Sequence, residues 1–335
     1  MSAAPSYAQD EKIDEGWLLT APGADNVSYE SAVEHYNAGN FAQALVYART
    51  AGTKGHIKAQ VMAAHILRTG KAGQTDYVNA ADWYKLAASA GDQDAMVALG
   101  DMALKGQGGL KQSDAAHYFG DAAKLGNVEA MQALGMMYQR GKGVVKNEDK
   151  AAKWLASASG HGDSSAAKKR GDLLIDSDPK AALEAYESAA RAGDASAAYA
   201  AAIMYVESIA IRPNEARSVE LMHQAAKAGH PAAMADYGLY VYQGMAQGSN
   251  EDAAQWFARA AVSGDEQGKF LYAFTLAKGE GVPQSYEDAY YWLLKVKPSG
   301  IDVYDRDYRE LKARLEANID PAVLEKARAR FDAGG

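Results

Sequence analysis

The stretch AMQALGMMYQRGKGVVKNEDKAAKWLASASGHG, from Ala130 to Gly162, decides the fold. Its first part, Ala130 to Tyr138, places alanine, leucine, methionine and tyrosine at helical spacing, then meets Gly141-Lys142-Gly143, where glycine permits the left-handed turn that closes a helix. A polar connection leads to a second stretch of helical period that carries Ala151-Ala152, Trp154 and Ala158 and stops before Gly162. The segment therefore reads as two helices, A and B, joined by a glycine-bearing loop.

The same text recurs on both sides. A glycine column runs through Gly55, Gly91, Gly126, Gly162, Gly193, Gly229, Gly264 and Gly300, with gaps of 36, 35, 36, 31, 36, 35 and 36 residues. Eight residues before each glycine stand Tyr47, Trp83, Tyr118, Trp154, Ala185, Leu221, Trp256 and Trp292, all but Ala185 large and apolar. Four residues after it comes a small residue: Ala59, Ala95, Ala130, Ala166, Ala197, Ala233 or Gly268. Small residues let neighbouring helices approach closely, and the tryptophan column, Trp83, Trp154, Trp256 and Trp292, is expected to be largely buried between layers. A lone helical pair cannot bury both faces, so the units must stack into an α-solenoid.

Composition excludes several function classes. The chain has 335 residues, of which 48% are hydrophobic and 23% charged, the profile of a globular protein with material for a large core. A net charge of -8 repels phosphate, which argues against nucleic acid as a partner. The absence of cysteine removes disulfides, thiolate nucleophiles and cysteine metal sites. The longest nearly apolar run, Ala195 to Val206, falls well short of the roughly 20 residues of a spanning helix, so no transmembrane segment is expected.

The repeat closely resembles the Sel1-like repeat family, relatives of the tetratricopeptide repeats. The resemblance is carried by Ala130, Leu134-Gly135, Tyr138, Gly141-Lys142-Gly143-Val144, Ala151-Ala152, Trp154, Ala158 and Gly162, and again by Gly279-Glu280-Gly281-Val282 with Ala289 and Trp292. It implies an all-α, right-handed α/α superhelical solenoid of about eight helix-turn-helix repeats. It also implies a non-enzymatic scaffold or regulatory adaptor that binds a protein or peptide in a concave groove, commonly in bacterial systems. The alternative carried by the family is an envelope hydrolase or cell-wall-fragment binder, although the cysteine-rich pattern of the relatives so described is absent here. The expected division is an N-terminal extension over 1–28, the repeats over 29–300 and C-terminal capping helices over 301–335.

Three segments depart from the repeat. Between Ala166 and Gly193 the unit is about five residues shorter, and Asp178-Pro179 replaces the glycine-bearing connection as a helix start. After Gly300, Asp305 to Glu316 and Asp320 to Phe331 read as two capping helices, the second capped by Asp320 ahead of Pro321. Near the start, Trp17-Leu18-Leu19 is expected to dock on the first unit. Ser6-Tyr7-Ala8 resembles the small-x-small end of a secretory signal without the regions that should precede it, so a periplasmic location is favoured over a cytoplasmic one.

No constellation in the sequence calls for catalysis, a cofactor or a metal. The histidines form no HExxH pair, and His56, His161 and His230 read as turn and cap residues at equivalent places. The glycine turns join helix to helix and lack the strand that a phosphate loop needs. What remains is the face of helix A that stacking leaves over. On the register that the family implies, this face holds the third, seventh and tenth residues counted from the small residue. In the first half it is mixed, with Val61, His65, Arg68, Val97 and Gln139. In the second half it is apolar and aromatic, and Tyr199, Ile203, Leu239, Tyr242, Phe270 and Phe274 are the expected protein-binding positions.

Overall fold

A computed structural model describes residues 26–297 and 302–334, and every regular element among them is helical. The apolar cluster at Trp17, the signal-like end at Ser6 and Gly300 lie outside the described residues. The helices form two compact units, one ending at Ala158 and the other beginning at Ser159. The first holds α1 (Asn26–Asn37), α2 (Phe41–Thr53), α3 (Ile57–Thr69), α4 (Tyr77–Ser89), α5 (Gln93–Leu104), α6 (Ala115–Lys124), α7 (Val128–Arg140) and most of α8 (Glu148–Gly160). The second holds α9 (Ser164–Leu174), α10 (Pro179–Arg191), α11 (Ala195–Glu207), α12 (Glu215–Lys227), α13 (Pro231–Tyr242), α14 (Asn250–Val262), α15 (Glu266–Lys278) and α16 (Tyr286–Lys295), followed by α17 (Asp302–Asn318) and α18 (Pro321–Ala333). Odd-numbered helices up to α15 are helix A of their repeat and even-numbered ones up to α16 are helix B.

The glycine column has a backbone cause. From Gly55 to Gly264 every member has φ between 90° and 95°, a region open to glycine and strained for any residue with a Cβ. The residue after it is the N-cap of the next helix A: His56, Asp92, Asn127, Asp163, Asp194, His230 and Asp265. Each accepts, at 2.6–3.2 Å, the N–H of the small residue three places on, through a carboxylate or amide oxygen or through histidine Nδ1. His56 and His230 are thus caps, as expected. His161 is not equivalent to them, because it precedes its glycine and Asp163 caps that helix.

The core corrects the reading of the tryptophan column. Trp83, Trp154, Trp256 and Trp292 are only half-buried, whereas the residue that follows each aromatic position is wholly inside: Tyr84, Phe119, Leu155, Phe257 and Leu293. Each of Phe119, Leu155, Tyr186 and Phe257 lies over a glycine of helix A in its own repeat. A Cβ on Gly100, Gly135, Gly171 or Gly238 would come within 2.6–2.7 Å of Phe119, Leu155, Tyr186 or Phe257 respectively, so these glycines are the holes into which helix B puts its knob. The tryptophan points about 100° round the helix from that knob: the Trp256 ring meets Tyr237 of its own helix A at 5.4 Å and His223 of the preceding repeat at 6.1 Å, and Trp292 meets Tyr272 of its own helix A at 5.8 Å. The Trp83 ring lies where a Cβ on Gly52, near the end of α2, would stand only 2.9 Å from it.

The short unit keeps this packing. Asp178 accepts the N–H of Ala181 at 3.1 Å, Pro179 takes the first helical position, and Tyr186 still sits over Gly171. The shortening is taken up by the connection and by α9, which has 11 residues where α11 has 13. At the C-terminal end α18 packs on α16, and Leu315, Leu324 and Ala327 join Tyr290 and Leu293 in one buried cluster. Asp320 caps α18 through the N–H of Ala322, and Arg330 pairs with Asp288 at 2.6 Å.

Candidate functional site

The six expected binding residues lie on α11, α13 and α15 of the second unit, and all six are half-buried. Tyr199, Ile203, Leu239 and Tyr242 pack on the alanine-rich core built around Ala201, Ala202 and Met204, while Phe270 packs on the cluster that includes Ala273 and Tyr290. Tyr242 and Phe274 meet edge to face at 6.5 Å. Elsewhere the register needs correction: Val61, Val97 and Ala235, all at the third position, are core residues, because a short side chain at that place is enclosed by neighbouring helices.

A polar chain crosses the same three helices. Tyr199 donates its hydroxyl to Asp236 Oδ2 at 3.1 Å, and Gln267 Nε2 donates to Asp236 Oδ1 at 3.2 Å, so one carboxylate on α13 joins α11 to α15. Tyr242 donates to Glu280, just beyond α15. The His230 ring stacks on Tyr199 at 4.5 Å. Burial pushes the Asp236 carboxyl above its ordinary range, with Asp265 and Glu207 adding like charge and the two hydrogen bonds opposing the shift. Burial also pushes Tyr199 up, and the bond to Glu280 raises Tyr242 to about 12. His230 is held below its usual value by burial, and with Nδ1 accepting at the cap it is a neutral ring with its proton on Nε2.

Sequence reasoning missed Asp236, Gln267 and Glu280. A signal for the first was present: Asp236 is the only acidic residue in PAAMADYGLYVY, the sequence of α13. In the first unit the corresponding face differs, for His65 is 8% exposed and is held down to about 4, first by burial and then by the charges of Arg68 and Lys71. Lys278 stands over the Phe274 ring at 4.4 Å and pairs with Glu280 at 3.3 Å. Among the described residues no group of three or more His, Asp or Glu side chains is arranged to hold a metal ion, and no helix is long and apolar enough to cross a membrane.

A Sel1 repeat protein from Oxalobacter formigenes matches with a TM-score of 0.64 and 23% identity over 86% of this chain and 88% of that one, which shows a shared fold. A protective antigen of uropathogenic Escherichia coli strains displaying an SLR fold matches at 20% identity over 92% of this chain and 83% of that one, with a TM-score of 0.44. Yeast Tom70 is matched at 12% identity over 93% of this chain and 69% of that one, with a TM-score of 0.38. A search of the curated proteins returns no match. The Sel1 repeat profile matches seven times, over residues 57–92, 93–127, 128–163, 167–194, 195–230, 231–265 and 267–295. Six of the seven matches end on the residue that follows a positive-φ glycine and caps the next helix A, and the chain belongs to the Sel1 repeat family.

Proposed function

We propose that this protein is a non-enzymatic interaction scaffold or regulatory adaptor that receives a protein or peptide partner on the helix A wall of its second unit. The fold is of a kind that serves protein interaction, and the alternative of an envelope hydrolase draws no support from the matched repeats. One observation carries the choice of surface: Tyr199, Ile203, Leu239, Tyr242, Phe270 and Phe274 recur on three successive helices A as half-buried groups, and the Tyr199–Asp236–Gln267 chain ties those helices together. Half-buried tyrosines offer apolar area and a polar tip with little entropy left to lose, which is the make-up of an interface anchor. The partner is a protein segment that brings apolar side chains to this wall.

Crosslinking followed by affinity capture identifies the partner, and titration of the purified pair then tests the surface. Replacing Tyr242 by alanine should weaken association by about 1–3 kcal/mol while the helical signal is kept. Unchanged affinity in a Tyr242→Ala/Phe274→Ala variant, with crosslinks to the face near His65 and Gln139 instead, would refute the assignment.

A further inference from the structure

The C-terminal end of the second unit holds a cleft that the helix A wall does not include. Its volume is about 670 Å³, and it opens between the turn that follows α14, the last turn of α16 and the end of α18. Three lysines line it, Lys269, Lys295 and Lys297, and no carboxylate side chain does. Its apolar lining comes from Val262, Trp292, Leu294 and Phe331. These residues are far apart in sequence, and α18 packs on α16, the last helix B.

Among the described residues the charge of the cleft is only partly cancelled. Glu266, the nearby acid, is already used on both oxygens: Lys269 Nζ pairs with Oε1 at 2.7 Å, and the Lys297 backbone N–H donates to Oε2 at 2.6 Å. Lys295 makes no ion pair among the described residues, and its ammonium stands over the rings of Tyr291 at 4.8 Å and Trp292 at 5.7 Å. A cation held over aromatic faces keeps its N–H groups available to an acceptor. The Lys297 side chain is exposed. Among the described residues two ammonium groups are therefore left without an opposing charge, beside an apolar lining, in a chain whose net charge is -8.

We infer that this cleft is a second binding site, which takes an acidic peptide segment carrying a bulky apolar side chain. The lysines would pair with carboxylates of the segment, and the apolar group would enter between Trp292, Leu294 and Phe331, with exposed Val262 at the edge. The volume is within the roughly 300–1,000 Å³ of ligand pockets, enough for one or two large side chains. Charge complementarity selects an anionic occupant. A concave apolar cleft with two lysines suits a peptide rather than a membrane, whose capture takes about four to eight clustered basic residues.

The test is fluorescence anisotropy with the full chain and a labelled peptide of glutamates flanking leucines. The parent should bind saturably, and added salt should weaken the complex. A Lys295→Glu/Lys297→Glu variant should bind at least about tenfold more weakly, since rim charges are reversed against the same ligand. Val262→Asp, at a position 77% exposed and so tolerant in the fold, should also weaken binding, as should serines in place of the peptide's leucines. Tyr242→Ala should leave this complex unchanged, because Tyr242 does not line the cleft. Circular dichroism establishes that each variant is folded. Equal binding by parent and charge-reversed chain, no saturable binding by the parent, or binding to phosphatidylserine vesicles in place of the peptide would each overturn the proposal.

Discussion

The knob-and-hole contact inside each repeat makes a quantitative prediction at Phe257 and Gly238. Phe257 is 1% exposed, so its replacement by alanine removes a filled core ring and should cost about 3–5 kcal/mol. Its neighbour Trp256 is only half-buried, with the Arg259 guanidinium 4.3 Å from its ring, so Trp256→Ala should cost clearly less despite the larger side chain. The hole is tested from the other side. A Cβ on Gly238 would lie 2.7 Å from Phe257 Cε1 and 2.8 Å from Cδ1, and such overpacking costs about 1–3 kcal/mol, partly offset by the roughly 1 kcal/mol that alanine gains over glycine within a helix. Gly238→Ala should therefore destabilise the parent. In the Phe257→Ala background the obstructing ring is gone and only Trp256 Cβ, 3.1 Å away, stays close, so the same substitution should cost about 1–3 kcal/mol less than in the parent, and that difference is the coupling. Gly120, also within a helix but with nothing near its would-be Cβ, is the control, and Gly120→Ala should stabilise by up to about 1 kcal/mol in any background. Urea titrations followed by far-ultraviolet circular dichroism supply these differences. A Trp256→Ala cost above that of Phe257→Ala, or a strictly additive Gly238/Phe257 cycle, would refute the packing argument.

Two further predictions concern local chemistry. His65 is held down to about 4 in the folded chain, below its unfolded value near 6.5, so the unfolded chain binds the proton first and stability falls as pH drops from about 6.5 to 4. Full protonation of such a group corresponds to about 3 kcal/mol, and a His65→Gln variant should show a flatter stability profile over that interval, whereas an unaltered slope would mean that His65 is not the group responsible. Asp194→Ala removes the acceptor, 2.8 Å away, of the Ala197 N–H at the start of α11 and should cost about 1 kcal/mol in thermal or urea unfolding. A loss no larger than that of an exposed surface substitution would show that the cap contributes nothing.

The parts of this protein that were legible in sequence are those set by interactions a few residues long. The repeat period, the helix pairs, the caps at Asp178 and Asp320 and the positive-φ glycines rest on bonds between residues two or three places apart, or on the conformation of one residue, and such constraints reappear wherever the same residues do. Stacking of the pairs followed as well, since a single pair exposes too much apolar surface. Tertiary structure alone decided which of two adjacent side chains goes inside. Trp256 and Phe257 have similar hydrophobicity but point about 100° apart, and the choice of Phe257 depends on Gly238, which lies on a different helix. The same holds for Asp236, whose partners Tyr199 and Gln267 are 37 and 31 residues away, and for the lysine-lined cleft, assembled from residues between Ala261 and Gly334. Short-range hydrogen bonding writes itself into local sequence, whereas burial and charge balance are sums over neighbours that only the folded chain brings together.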